Sequence, residues 1–278
     1  MESSGKFAPT IYDSSRSRWA IVEEAIELFR YRDLLWSLAH RDLTIRYKRS
    51  TLGFLWTMLN PLLTMLVLTI VFSNLFRFQI PHYPVYLLSG MLLYNFFQWS
   101  TSQAIHSIIW GGGLMSKIYL PKTIFVAAAC LVSLINLLLA MIPLALIIIL
   151  SHCSFSPALL FLPVSIALAF IFALGIGLIV ATLAVFFADI ADIYNVSLTV
   201  LTYLTPLFYP ISVVPKKYLV LIYINPMYYF VELFRLPIHG GVLPDFQLVL
   251  RASLIAIGAF AAGWWFFTRK SDEFAYRV

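Results

Sequence analysis

From Phe54 to Phe267 the chain is almost continuously apolar, and this run limits the fold more than any motif does. A hydrocarbon core about 30 Å thick takes roughly 20 apolar residues per crossing helix. Five stretches reach that length: residues 54–76, 84–103, 124–150, 158–187 and 248–268. A sixth, 193–213, is more polar but also long enough. With 61% hydrophobic and only 12% charged residues, the chain has more apolar surface than a soluble domain of 278 residues buries. The reading is an all-α membrane protein of six transmembrane helices in a single domain. Residues 1–53 form a cytoplasmic arm and interface helix, 54–268 the bundle and 269–278 a cytoplasmic tail. The polar first fifty residues carry no short apolar core with a small-residue cleavage site, so the first span is expected to direct insertion itself.

Orientation follows the placement of Lys and Arg. Nine precede the first span: Lys6, Arg16, Arg18, Arg30, Arg32, Arg41, Arg46, Lys48 and Arg49. Six spans put Lys117, Lys122, Arg269, Lys270 and Arg277 on the same side and leave Arg77, Lys216, Lys217, Arg235 and Arg251 on the other. The bias puts both termini in the cytoplasm and explains the basic balance as an inside bias with attraction to anionic lipid. No basic array interleaved with exposed aromatics points to nucleic acid. Cys130 and Cys153 lie about 23 residues apart along a helix, roughly 35 Å, so they cannot pair within one chain.

Residues 21–48 mix Leu28, Leu35, Leu38, Leu43 and Ile45 with Arg30, Arg32, Asp33, Arg41, Asp42 and Arg46. This pattern predicts an amphipathic helix in the headgroup plane, or one packed on another element. A second ambiguous stretch, 218–234, is apolar but broken at Asn225-Pro226. A seventh span there would export the basic tail. A re-entrant outer hairpin between spans five and six keeps it inside, with Asn225 capping the second arm and Pro226 in its first turn. In that hairpin Lys217 and Arg235 both face the exterior, and Glu232 pairs with Arg235 at i and i+3.

Three spans carry polar side chains at helical spacing: Thr57, Asn60 and Thr64; Asn95, Gln98 and Ser102 beside Tyr94 and Trp99; and Asn195, Thr199, Thr202 and Tyr209. Such stripes face protein or water. They read either as helix–helix contacts or as the lining of a conduit, and three in one bundle favour the conduit. None holds an ionisable group at mid-depth, which argues against proton or ion coupling and suits a hydroxyl-rich cargo. Catalytic and metal motifs are missing: the five histidines are scattered, and no metal-ligand spacing occurs. Gly111-Gly112-Gly113 before Lys117 lacks phosphate-loop spacing and reads as a flexible break after the second span. The chain is expected to have no ATPase site and no cofactor of its own.

Four segments then become specific. They are Arg41-Asp42-Leu43 with Arg46-Tyr47-Lys48-Arg49-Ser50-Thr51-Leu52-Gly53 and Trp56 before Pro61; Leu114-Met115-Ser116-Lys117-Ile118-Tyr119-Leu120-Pro121-Lys122; Pro206-Leu207-Phe208-Tyr209-Pro210 with Val214-Pro215; and Asn225-Pro226-Met227. In this order they resemble the polysaccharide-export permeases of the type-2 ABC exporter group. The resemblance covers the chain from about Arg32 onward. It implies a homodimer of six-span subunits with separate ATP-binding subunits, which carry the ATP and Mg. It implies a lipid-linked glycopolymer cargo of O-antigen, capsule or teichoic-acid type, and a place in the cell (inner) membrane. Arg41, Asp42, Arg46, Tyr47, Lys48 and Arg49 would then frame the cytoplasmic entrance. Leu114, Met115, Ser116, Lys117 and Tyr119 would couple to the ATPase subunit, and Pro210, Pro215, Asn225 and Pro226 would belong to the outer gate. Where that group often has Arg-Asp after the fourth span, this chain has Ala188-Asp189, so no Arg–Asp role transfers. An exporter of drugs or small lipids, with a narrower and less aromatic conduit, is the alternative. A membrane-embedded glycolipid transferase would need a catalytic cluster that the sequence does not offer.

Overall fold

The computed structural model describes residues 20–48, 51–74, 80–115, 120–153 and 155–277. Among these the chain is helical, with no strand. Ten α-helices follow in order: α1 (Ala20–Arg30), α2 (Arg32–Tyr47), α3 (Leu55–Asn74), α4 (Tyr83–Met115), α5 (Thr123–Leu150), α6 (Leu162–Phe186), α7 (Ile190–Leu204), α8 (Leu219–Ile224), α9 (Pro226–Arg235) and α10 (Phe246–Lys270). Four described helical stretches are long and apolar enough to cross a membrane: Leu55–Ser73, Thr123–Leu150, Pro157–Phe186 and Phe246–Phe274. They become five if the bent pair Lys216–Ile224 and Pro226–Gly240 is taken as one broken span. The protein is therefore a multi-pass membrane protein.

The other two expected spans differ in form. Helix α4 runs 33 residues, about 50 Å, straight through Gly111–113 instead of breaking there. It lies against α3, α5, α6, α7 and α9. Its Ser89, Ser100 and Thr101 are fully buried, and Thr101 donates back to the Phe97 carbonyl at 2.9 Å. The run expected over 193–213 stops as a helix at Leu204. Pro206 holds Thr205 extended, at φ −85° and ψ 130°, since the proline ring excludes a helical residue before it.

The core is aromatic and closely packed. Phe97 of α4, Phe172 of α6 and Phe230 of α9 stack in sequence, with centroids 5.3 and 4.6 Å apart. Helices α6 and α10 cross in direct backbone contact at Gly175 and Gly263, where a Cβ on Gly263 would stand 2.2 Å from the Gly175 carbonyl oxygen. Small residues permit such an approach where lipid supplies no hydrophobic drive for association.

The expected single amphipathic helix is two, α1 and α2, bent at Tyr31. Its apolar side does not stay free for lipid, because Ala39 and Leu43 pack on Val132 of α5 and Leu38 joins the core beside Ile124 and Phe267. Ile26, Phe29, Trp36 and Ile45 remain exposed. At the same end the tail folds back as a 3₁₀ turn, Ser271–Tyr276, with Phe274 fully buried. Lys122 donates to the Ser271 carbonyl. Burial lowers the Lys122 pKa while the Asp272 and Glu24 carboxylates pull it back up. Glu24, on α1, is held above the usual carboxylate range by burial, opposed by hydrogen bonding from Thr268 and Thr123.

Candidate functional site

A cleft of about 320 Å³ opens where the end of α2 meets α3, α4 and α5. Arg46 and Tyr47 come from α2, Trp56, Thr57 and Asn60 from α3, Asn95 and Trp99 from α4, and Ser133 and Asn136 from α5. The Arg46 guanidinium lies 4.0 Å from the centroid of the Trp99 ring, a cation–π contact at the rim. Behind it runs a hydrogen-bond chain. The Tyr47 hydroxyl donates to Asn136 Oδ1 at 3.0 Å, so its partner Thr57 must supply the proton for their mutual bond. The Phe54 ring lies against Tyr47, tilted by 38° with centroids 4.3 Å apart. Among the described residues no carboxylate lines the cleft. They offer amide and hydroxyl groups, the Arg46 cation and indole faces, which suits a neutral or anionic ligand rich in hydroxyls.

Of the conduit residues expected from the sequence, Thr57, Asn60, Asn95 and Trp99 line this cleft. Thr64 lies a turn further along α3, its hydroxyl 3.5 Å from Asn60 Oδ1. The rest lie elsewhere. Tyr94 does not line this cleft: it is 1% exposed and clamps α4 to α7, donating to the Leu198 carbonyl at 2.6 Å and accepting from Thr202 at 3.0 Å. Tyr209 does not continue the α7 stripe, because the helix ends five residues earlier; its hydroxyl donates to the Tyr203 carbonyl. Asn195 and Thr199 are exposed on the outside of the chain, and Gln98 and Ser102 are half-buried away from the cleft. Arg41 and Asp42 pair with each other on the surface at 2.9 Å, and Lys48 is exposed. Ser133 and Asn136 went unread in the sequence. The available signal was that, Cys130 aside, they are the only polar side chains in the apolar run 124–150.

The segment after α7 is the second unusual place. Four successive carbonyls, 206–209, leave the helix and are satisfied by side chains. Arg235 Nη1 donates to Pro206 O at 3.0 Å and Nη2 to Leu207 O at 3.4 Å. Tyr83 donates to Phe208 O at 2.8 Å, and Tyr86 shares its proton between Tyr209 O at 3.0 Å and Pro206 O at 3.3 Å. Asn225 behaves as expected: its side chain caps α9 through the Met227 amide at 3.0 Å, with Pro226 in the first turn, and its Nδ2 donates to Thr205 Oγ1 at 2.8 Å. The expected Glu232–Arg235 pair is present at 3.1 Å.

One other expectation about this region fails: Arg235 does not face the exterior but is 2% exposed, inside the bundle. Its guanidinium reaches the open carbonyls of 206 and 207, and α9 is buried while α8 stays mostly exposed. The arms α8 and α9 meet at 88°, a bend that fits a broken span or a re-entrant loop. Pro210 and Pro215 lie in the connecting turns, and Lys217 is exposed. Arg49, Ser116, Lys117 and Tyr119 fall outside the described residues, as do the side chains of Leu114 and Met115.

With this geometry in view, comparison with known proteins gives consistent matches. The profile of the ABC-2 type transporter family fits residues 33–238. An O-antigen export system permease protein RfbA of Myxococcus xanthus is 29% identical over 255 residues, covering 91% of this chain and 98% of that protein. An RfbA of Klebsiella pneumoniae is 29% identical over 70% of this chain and 76% of its own. The polysialic acid transport protein KpsM of Escherichia coli is 24% identical over 74% and 81%.

Proposed function

Since the chain belongs to the ABC-2 type transporter family, we propose that it is the membrane-spanning permease subunit of an ATP-driven exporter, and that its cargo is a lipid-linked polysaccharide moved from the cytoplasm to the outer face of the membrane. The cleft carries the reading: an indole face, a cation and a relay of amides and hydroxyls, with no carboxylate among the described lining residues, fit a glycan attached to an anionic carrier. The names of the relatives, O-antigen and polysialic acid exporters, agree with it. In this reading α4 and α7 complete a set of six spans in the inner membrane, both termini face the cytoplasm, and α1 and α2 border the cytoplasmic entrance with Trp36 and Ile45 toward lipid. The ATP and Mg sit on a separate ATP-binding subunit, which engages the segment around Lys117. The permease works as a homodimer, which would cover the exposed Asn195 of α7 that lipid cannot satisfy.

The test is export in cells that lack their own copy of the permease, with the adjacent ATP-binding subunit co-expressed. Trp99→Ala and Asn136→Leu are expected to reduce surface polysaccharide strongly while membrane protein levels and binding of the ATP-binding subunit stay normal. Full export by both variants would remove the cleft from the cargo path. Export of an unrelated small amphiphile, with surface glycan unchanged by deletion of the gene, would replace the cargo.

A further inference from the structure

We infer that Arg235 is a positioning residue for export: a latch that holds the non-helical segment 205–209 against the top of α4 and so sets the resting position of the exit. The inference rests on the reading of this segment as part of the exit, but the latch itself is a matter of geometry. One side chain joins three elements. Its two terminal nitrogens reach the carbonyls of 206 and 207 beyond α7, Glu232 of its own helix balances its charge, and its face lies 3.9 Å from the centroid of Tyr86 on α4. Tyr83 and Tyr86 then extend the same clasp to the carbonyls of 208 and 209.

Two features show that the site is built for an arginine. Only the planar fork can serve two successive carbonyls and a carboxylate while stacking on an aromatic ring; an ammonium is a point charge without that geometry. Position 90 on α4 is glycine, and a Cβ there would stand 2.2 Å from Arg235 Nη2. An alanine at 90 therefore displaces the far end of a flexible side chain rather than backbone, and it perturbs the latch without altering any of its donors or acceptors. Release leaves the two carbonyls without these donors, which costs more in a membrane than in water, so the segment opens rarely unless another donor replaces Arg235. A hydroxyl-rich polymer passing the exit supplies such donors.

The experiment measures protection of position 207, which is 1% exposed. Leu207→Cys is placed in a C130A/C153A background of the full chain in lipid nanodiscs, where both faces are open to a small maleimide. The thiol is expected to react slowly in the parent. It should react about ten-fold faster or more in R235Q, as local opening of the segment no longer requires breaking the fork. R235K is expected to fail to restore protection, and G90A to raise reactivity in the parent but not further in R235Q, because both act through one contact. Leu178→Cys, fully buried in a separate part of the core, should stay protected throughout. If both thiols open in R235Q, that variant has lost its fold and G90A decides on the same criterion. Unchanged protection in R235Q and G90A, full rescue by lysine, or independent multiplying effects of the two changes would each overturn the latch. No cargo enters the assay, so a permease that exports something other than glycan leaves this result standing.

Discussion

The α6–α10 crossing makes a strong demand on residue size. Ordinary contact begins near 3.4 Å, whereas a Cβ on Gly263 would stand 2.2 Å from the Gly175 carbonyl oxygen and 2.9 Å from its carbon. These are backbone atoms, so the helices themselves must part by about 1 Å in Gly263→Ala. A gap of that size forfeits about a quarter to a half of the dispersion well for each atom pair along the contact. Overpacking of this kind costs about 1–3 kcal/mol, and the better helix propensity of alanine returns at most about 1 kcal/mol. With backbone on both sides of the clash the upper part of the range applies, for a net loss of about 2 kcal/mol. At about 2–4 °C per kcal/mol for a chain of this order of size, the midpoint should fall by about 4–8 °C. Gly258, on the same helix, has no atom within 4 Å of its would-be Cβ, so Gly258→Ala should leave the midpoint unchanged or raise it slightly. Thermal unfolding of both variants in one detergent, followed by tryptophan fluorescence, gives the comparison. Equal shifts at 263 and 258 would refute the argument, because helix propensity would then outweigh the close approach.

Two further outcomes follow from single contacts. Asn225→Ala removes both the α9 cap and the donor to Thr205 and should cost about 2 kcal/mol; Asn225→Asp, which keeps the cap acceptor but not the donor, should fall between, and an aspartate variant as unstable as the alanine one would show that the cap contributes nothing. The raised pKa of Glu24 means that the folded state holds its proton more tightly than the unfolded chain, so its contribution is full below the ordinary carboxylate value and is lost as pH rises through the raised one. Glu24→Gln should therefore raise the unfolding midpoint at pH 7 and have little effect near pH 4; a gain confined to acid would reverse the sign and reject the assignment.

What the sequence determined by itself was everything governed by local composition. Apolar runs long enough for a hydrocarbon core placed four of the crossing helices, since a chain in lipid has almost no alternative to helix. Proline chemistry announced the cap at Asn225-Pro226, because its effect acts on neighbouring residues. Four of the cleft residues on α3 and α4 were legible as stripes. Only the tertiary structure decided which polar groups met. Tyr94 and Asn95 are adjacent in sequence and equally polar in pattern, yet one clamps α7 and the other lines the cleft, because a turn of about 100° per residue sends them to different neighbours. Arg235 looked like a surface charge from its neighbours in sequence. Its burial depends on two open carbonyls about thirty residues away and on a glycine at position 90 that leaves room for the guanidinium. Hydropathy read along the chain reports each side chain's cost of leaving water. It carries no record of the distant partner that offsets that cost, and in this protein those partners decide where the polar groups lie.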